Sequence, residues 1–123
     1  MPDRVADASV LAAVIFQEQR AAEAQALLSG AQLCEPLLLA YELTSVARKK
    51  ALQQPERRRS LAGALRLGLA TNIRWVDVLF PAILELALEK GLTTYDATYL
   101  HVARALGVPL VTFDRELRAA AQR

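Results

Sequence analysis

The chain has 123 residues, 54% of them hydrophobic and 23% charged, with a formal net charge of +2. That length and balance fit one domain over residues 1–123 with one real core, and exclude a disordered, collagenous or disulfide-stapled chain. No uncharged apolar run approaches the roughly 18–20 residues of a membrane helix. Asp7 interrupts the apolar stretch after the N-terminus, and no basic segment precedes it, so no signal peptide is read there. A soluble, cytoplasmic protein is expected, and the lone Cys34 fits a reducing compartment.

Arg4–Asp7 is the first strand candidate, followed by a helix over Val10–Phe16 with Ser9 as N-cap. Ala21–Ser29 is rich in alanine and leucine and stops at Gly30, a good helix terminator. Gln32–Cys34 is a second short strand. Pro36 opens a long helix to about Leu52, and Pro55 opens another to about Ala70, since proline suits a first helical turn. Ile73–Val78 is a third strand, with Trp75 as a core residue. A helix from Pro81 ends at Gly91. Thr94 precedes a helix over Tyr95–Leu106 that stops at Gly107. Val108–Phe113 is the most strand-like run, and a final helix follows Asp114. Strands separated by helices predict an α/β fold with a parallel sheet of four to five short strands.

Charge is unevenly spread. Arg48, Lys49, Lys50, Arg57, Arg58, Arg59 and Arg66 share one segment with a single acid, Glu56, so that segment carries +6 in a chain of net +2. A basic stretch on an otherwise acidic body suits either a solvated surface or a polyanionic partner.

Four acids stand where the hydrophobic pattern would not place them. Asp7 and Asp114 fall at the C-terminal ends of the first and last strands, where open parallel sheets bind ligands. Glu42 lies mid-helix, with Leu38, Leu39, Ser45 and Val46 at helical spacing. Asp96 opens its helix beside Leu92, Tyr99 and Leu100. Each has an ordinary alternative: Asp7 and Asp114 as N-caps, Asp96 as a helix-start acid. A carboxylate on a core-directed face is costly without a partner. One cluster neutralised by a hard cation would explain all four, and oxygen-only ligation suits Mg²⁺ or Mn²⁺. Histidine and cysteine are too scarce for structural zinc. His101, the one histidine, is expected at the surface.

At these residues the chain resembles the PIN domain family, specifically the VapC-type ribonuclease toxins of bacterial toxin–antitoxin pairs. The matching segments are VADASVL at Val5–Leu11, EPLLLAYELTSVARKK at Glu35–Lys50, and LTTYDATYLHVARALGVPLVTFDREL at Leu92–Leu117. The resemblance implies a PIN-like three-layer α/β/α fold and metal-dependent cleavage of RNA. It implies catalytic roles for Asp7, Glu42, Asp96 and Asp114, with Asp7, Asp96 and Asp114 holding Mg²⁺ (or Mn²⁺) and Thr112 in support. Many relatives carry asparagine three residues after the helical glutamate. Here Ser45 takes that position and the supporting role beside Glu42 that goes with it. Glu116, two residues after Asp114, is not counted as a ligand.

The resemblance further implies an RNA substrate, a small cognate antitoxin and a homodimer. Arg48, Lys49, Lys50, Arg57, Arg58 and Arg59 would then follow the RNA backbone without reading sequence. Leucines at Leu27–Leu28, Leu37–Leu39 and Leu61–Leu69 exceed what one core obviously needs, so some are expected on interaction surfaces. Two other readings stay open. A silent PIN-like module would bind RNA or protein without cutting. A phospho-accepting receiver domain also holds Mg²⁺ with acids, but should show adjacent acids after its first strand and a lysine after its last, and neither is present.

Overall fold

The computed structural model describes residues 2–123. Four strands, β1 (Asp3–Ala6), β2 (Gln32–Glu35), β3 (Ile73–Trp75) and β4 (Leu110–Val111), form one parallel sheet in the order β3-β2-β1-β4. Seven α-helices flank it: α1 (Ala8–Ile15), α2 (Ala21–Leu28), α3 (Leu38–Gln53), α4 (Arg58–Leu69), α5 (Phe80–Lys90), α6 (Thr94–Leu106) and α7 (Arg115–Gln122). This is the expected α/β architecture, with the expected four strands.

The topology locates the site before any side chain is considered. From β1 the chain runs outward through β2 to β3, then returns to the other side of β1 as β4. Arg4 lies opposite Leu33 of β2, whereas Val5 and Ala6 lie opposite Leu110 and Val111 of β4. The strand order therefore reverses at β1, and a crevice opens beyond its C-terminal end. Asp7 is the next residue.

Packing divides the helices into two groups. Val5, Val10, Phe16, Leu39, Leu43 and Leu61 anchor a core shared by the sheet with α1, α3 and α4. Ile83, Leu86, Leu100, Leu117 and Ala120 form a second core between α5, α6 and α7. Helix α6 contributes to both, through Tyr99 and Val102 on one side and Ala97 and Leu100 on the other. It therefore couples the two layers. Gly68 lets α4 lie against α1, because a Cβ there would collide with the Ile15 side chain.

Local chemistry moves several predicted boundaries. Helix α1 starts earlier than expected, and its N-cap is Asp7, not Ser9. The Pro36 carbonyl accepts from Leu39 N–H before α3 begins, so Pro36 precedes the helix instead of opening it. Pro55 starts a 3-10 turn (Pro55–Arg57) that leads into α4. Helix α6 takes in Thr94, and Thr93 caps it by accepting from Asp96 N–H at 3.1 Å.

The run Val108–Phe113 yields only two strand residues. Gly107 closes α6 in the left-handed region (φ 67°), Val108 N–H still bonds back to Ala103, and Thr112 already turns the chain into the α7 cap. Trp75 is 42% exposed and not core, because β3 is a short edge strand. His101 is half-buried and accepts a long 3.4 Å bond from Leu79 N–H. Among the described residues no helix is long and apolar enough to cross a membrane.

Candidate active site

Asp7 is buried, and every polar contact it makes fixes its carboxylate. Oδ1 accepts from Ser9 N–H (3.1 Å), Ser9 Oγ–H (2.6 Å) and Val10 N–H (3.4 Å), as a helix cap does. Oδ2 accepts from Thr112 Oγ1–H at 2.5 Å. Thr112 Oγ1 in turn accepts from Asp114 N–H at 2.9 Å, and Asp114 Oδ1 caps α7 through Leu117 N–H at 2.9 Å. One hydroxyl thus links the acid after β1 to the acid after β4. The ordinary N-cap reading of both aspartates holds, and it coexists with their convergence. Burial raises the Asp7 carboxyl above its usual range, while the bonds from Ser9, Thr112 and Val10 pull it back.

The other two acids come from facing helices. Glu42 on α3 is half-buried, and its Oε1 accepts from the Tyr99 hydroxyl of α6 at 2.5 Å. Burial raises its carboxyl, the Tyr99 bond lowers it, and the charge of Asp7 raises it. Asp96, one turn before Tyr99, is pushed up to about 6. Burial is the main cause, followed by the charges of Asp114, Asp7, Glu42 and Glu116. The charges of the other three predicted acids, Asp7, Glu42 and Asp114, therefore all bear on Asp96 across the end of the sheet.

The sequence reading missed Glu35. It ends β2, is fully buried, and its Oε2 accepts from Ala6 N–H at 2.9 Å. Its Oε1 is a buried side-chain atom with no hydrogen-bond partner among the described residues. Burial lifts this carboxyl well above the ordinary value; the Ala6 bond opposes that and the Asp7 charge adds to it. The signal was present: like Asp7, Glu35 is an acid ending an apolar strand. Carrying a proton, it is better matched to its surroundings than as a charge. Glu35→Gln is therefore expected to leave stability unchanged or improved at neutral pH. Glu35→Ala strands the Ala6 N–H and should lose about 1–3 kcal/mol for that group alone. Urea unfolding of the two variants checks this, and equal destabilisation by both would contradict a neutral Glu35.

Ser45, expected to support Glu42, is exposed; the group that contacts Glu42 is Tyr99. Glu116, discounted from sequence, lies near enough to raise Asp96. The Arg20 guanidinium stacks 3.6 Å from the centre of the Phe113 ring, and Arg118 donates to the Thr112 carbonyl at 2.8 Å. Of the basic segment, Arg48, Lys49, Arg58 and Arg59 are exposed. Lys50 is tied to Glu18 at 2.6 Å, and Arg57 donates to Gln54 at 2.9 Å.

Among the described residues, no three acid, histidine or cysteine side chains are drawn together tightly enough to hold an ion by themselves. The donor chemistry nevertheless fits a hard divalent cation. Mg²⁺ keeps several waters and takes one or two carboxylates plus substrate phosphate oxygens. Burial and then the charges of Asp114, Asp7 and Glu42 raise Asp96, and those charges are what such an ion would neutralise.

Comparison with known proteins agrees with this fold. The sequence profile of the PIN domain matches residues 4–122. Ribonuclease VapC3 of Pyrobaculum aerophilum is 35% identical over 119 residues, covering 92% of this chain and 90% of its own. The crystal structure of PAE2754 from the same organism superposes with a TM-score of 0.78 at 28% identity, covering 97% of this chain and 86% of that one. Mycobacterium tuberculosis VapC20, a toxin that cleaves the sarcin-ricin loop, shares the fold with a TM-score of 0.72 at 20% identity, over 95% of this chain and 94% of its own.

Proposed function

The chain belongs to the PIN domain family, and from that premise we propose that it is a Mg²⁺-dependent ribonuclease, the toxin of a toxin–antitoxin pair, acting in the cytoplasm. The observation that carries this reading is the convergence of Asp7, Glu42, Asp96 and Asp114 at the strand-order reversal, in a chain that matches a ribonuclease along most of its length. The same convergence favours cutting over silent binding, and a receiver-like phosphoryl acceptor does not fit the family.

Asp7, Asp96 and Asp114 would hold the cation. When bound, it lowers the pKa of an attacking water and stabilises charge on the phosphoryl oxygens. Mn²⁺ can take the same oxygen donors. Glu42 would complete the negative pocket or orient the attacking water. Thr112 keeps Asp7 and Asp114 in register with each other. The exposed Arg48, Lys49, Arg58 and Arg59 supply affinity for the RNA backbone, with Lys50 and Arg57 in part engaged elsewhere.

Partner surfaces adjoin the site. A cleft of about 680 Å³ is lined by Leu37, Tyr41, Val78, Phe80, Leu84 and Tyr95. A second, of about 460 Å³, contains Glu42 and shares Leu38, Tyr41 and Tyr95 with the first. The two make an apolar groove leading to the acids, suited to an amphipathic antitoxin helix whose arginine would reach the carboxylates. Leu84 and Leu88, one turn apart on α5 and 52% and 73% exposed, suit a second copy of the chain. Of the leucines flagged from sequence, Leu27, Leu37 and Leu67 are exposed, whereas Leu39 and Leu61 are core.

Purified protein should cut RNA with Mg²⁺ and stop cutting on chelation. Its expression alone should arrest growth, co-expression of the adjacent small reading frame should restore it, and light scattering should give about twice the 13.5 kDa chain mass. RNA left intact with Mg²⁺, together with harmless expression, would remove the toxin ribonuclease reading; a monomeric mass would remove the dimer.

A further inference from the structure

We propose that Tyr99 is a positioning residue of the nuclease, its phenol holding the Glu42 carboxylate in the orientation that the reaction uses. The inference rests on the ribonuclease reading and extends it to a residue outside the acidic set. Tyr99 lies three residues after Asp96 on α6, so the two share a helix face. Its ring is 1% exposed and packs in the core shared by the sheet with α1 and α3. Its hydroxyl leaves that core at one point, to donate to Glu42 Oε1 at 2.5 Å. That is the length of a strong bond from a hydroxyl to a charged carboxylate.

Glutamate has three side-chain torsions, and a mid-helix glutamate at a pocket wall would sample several of them. The bond ties one oxygen to a rigid ring and leaves Oε2 for the pocket, which is how supporting residues preorganise a site. Among the described residues no other side chain does this for Glu42. Ser45 is exposed and makes no bond to it. The surroundings also keep the phenol a donor: burial, the Glu42 bond, and the charges of Glu42, Glu35 and Asp7 all raise its pKa. Because α6 also carries Asp96, the bond fixes the spacing between acids on two different helices.

The test is Tyr99→Phe, which removes one oxygen and keeps the ring. Melting should show an intact fold. RNA turnover should fall roughly 10–100-fold, the usual loss when a group orienting a site carboxylate is removed. More Mg²⁺ should be needed for half-maximal thermal stabilisation. In a Glu42→Ala background the same substitution should leave that Mg²⁺ midpoint unchanged and should recover stability, since it removes a stranded hydroxyl. Unchanged turnover in Tyr99→Phe, or the same Mg²⁺ shift in both backgrounds, would overturn the role while leaving the ribonuclease reading intact. A wild type that neither cuts RNA nor responds to Mg²⁺ would overturn the ribonuclease reading, and this role with it.

Discussion

Asp7→Asn and Asp96→Asn should each lower RNA cleavage about a thousandfold or more, the rate equivalent of the several kcal/mol that charge stabilisation at a metal contributes. Neither change should unfold the protein. Asparagine caps helices as well as aspartate, so the bonds from Ser9 and Val10 to the residue 7 side chain survive. The cost falls on Thr112, whose hydroxyl now donates to Asp7 while accepting from Asp114 N–H. An amide nitrogen in place of Oδ2 would face it with a second donor, a loss of about 1 kcal/mol. Relief of a buried charge offsets much of that.

At residue 96 the α6 cap uses the backbone N–H, which the substitution leaves alone. Asp77→Asn is the control, because Asp77 is not among the converging acids, and it should cut RNA as the wild type does. Steady-state cleavage of a labelled RNA, with melting curves for each variant, decides the matter. Full activity in Asp96→Asn, or equal loss in all three variants, would defeat the site assignment.

The sequence made the acids legible and, Thr112 apart, left their supports hidden, for a physical reason. Asp7, Glu42, Asp96 and Asp114 stood out because each interrupts an apolar pattern, and an uncompensated carboxylate needs an explanation. Tyr99 did not stand out, because a tyrosine on a core-facing helix position satisfies the pattern and only the fold shows where its hydroxyl goes. Glu35 was visible as a residue but not as a buried one, since burial there depends on β1 and β3 closing over both sides of β2. Element types followed from periodicity and from glycine and proline signals, so the parallel α/β order was readable. Strand lengths were not, because hydrophobicity does not say where a helix cap begins. Thr112 and Phe113 suit a strand, yet the Thr112 hydroxyl bonds Asp7 and the Asp114 N–H, and the Phe113 N–H donates to Ser9 Oγ, so no strand partner takes them.

The same charges govern stability. In the folded, metal-free protein the Asp96 carboxyl is raised from 3.8 to about 6, and those of Asp7, Glu42 and Glu35 are raised too. The folded state then binds more protons than the unfolded one. The contribution of Asp96 is therefore full below about pH 4 and is lost as pH rises through about 6, with Asp7, Glu42 and Glu35 acting in the same direction. Mg²⁺ prefers the ionised carboxylates, so its stabilisation should grow across the same window. At a hundred times its dissociation constant, a ligand of the folded state alone adds about 2.7 kcal/mol, roughly 10 °C in Tm for a chain of this size. Asp7→Asn should flatten both trends: one repelling charge is gone from Asp96, Glu42 and Glu35, and one donor is gone from the cation. Melting curves of the wild type and Asp7→Asn below and above the Asp96 window, with and without Mg²⁺, read all of this at once. A wild type that Mg²⁺ stabilises equally on both sides of that window, or not at all, would mean that these carboxylates do not share one cation.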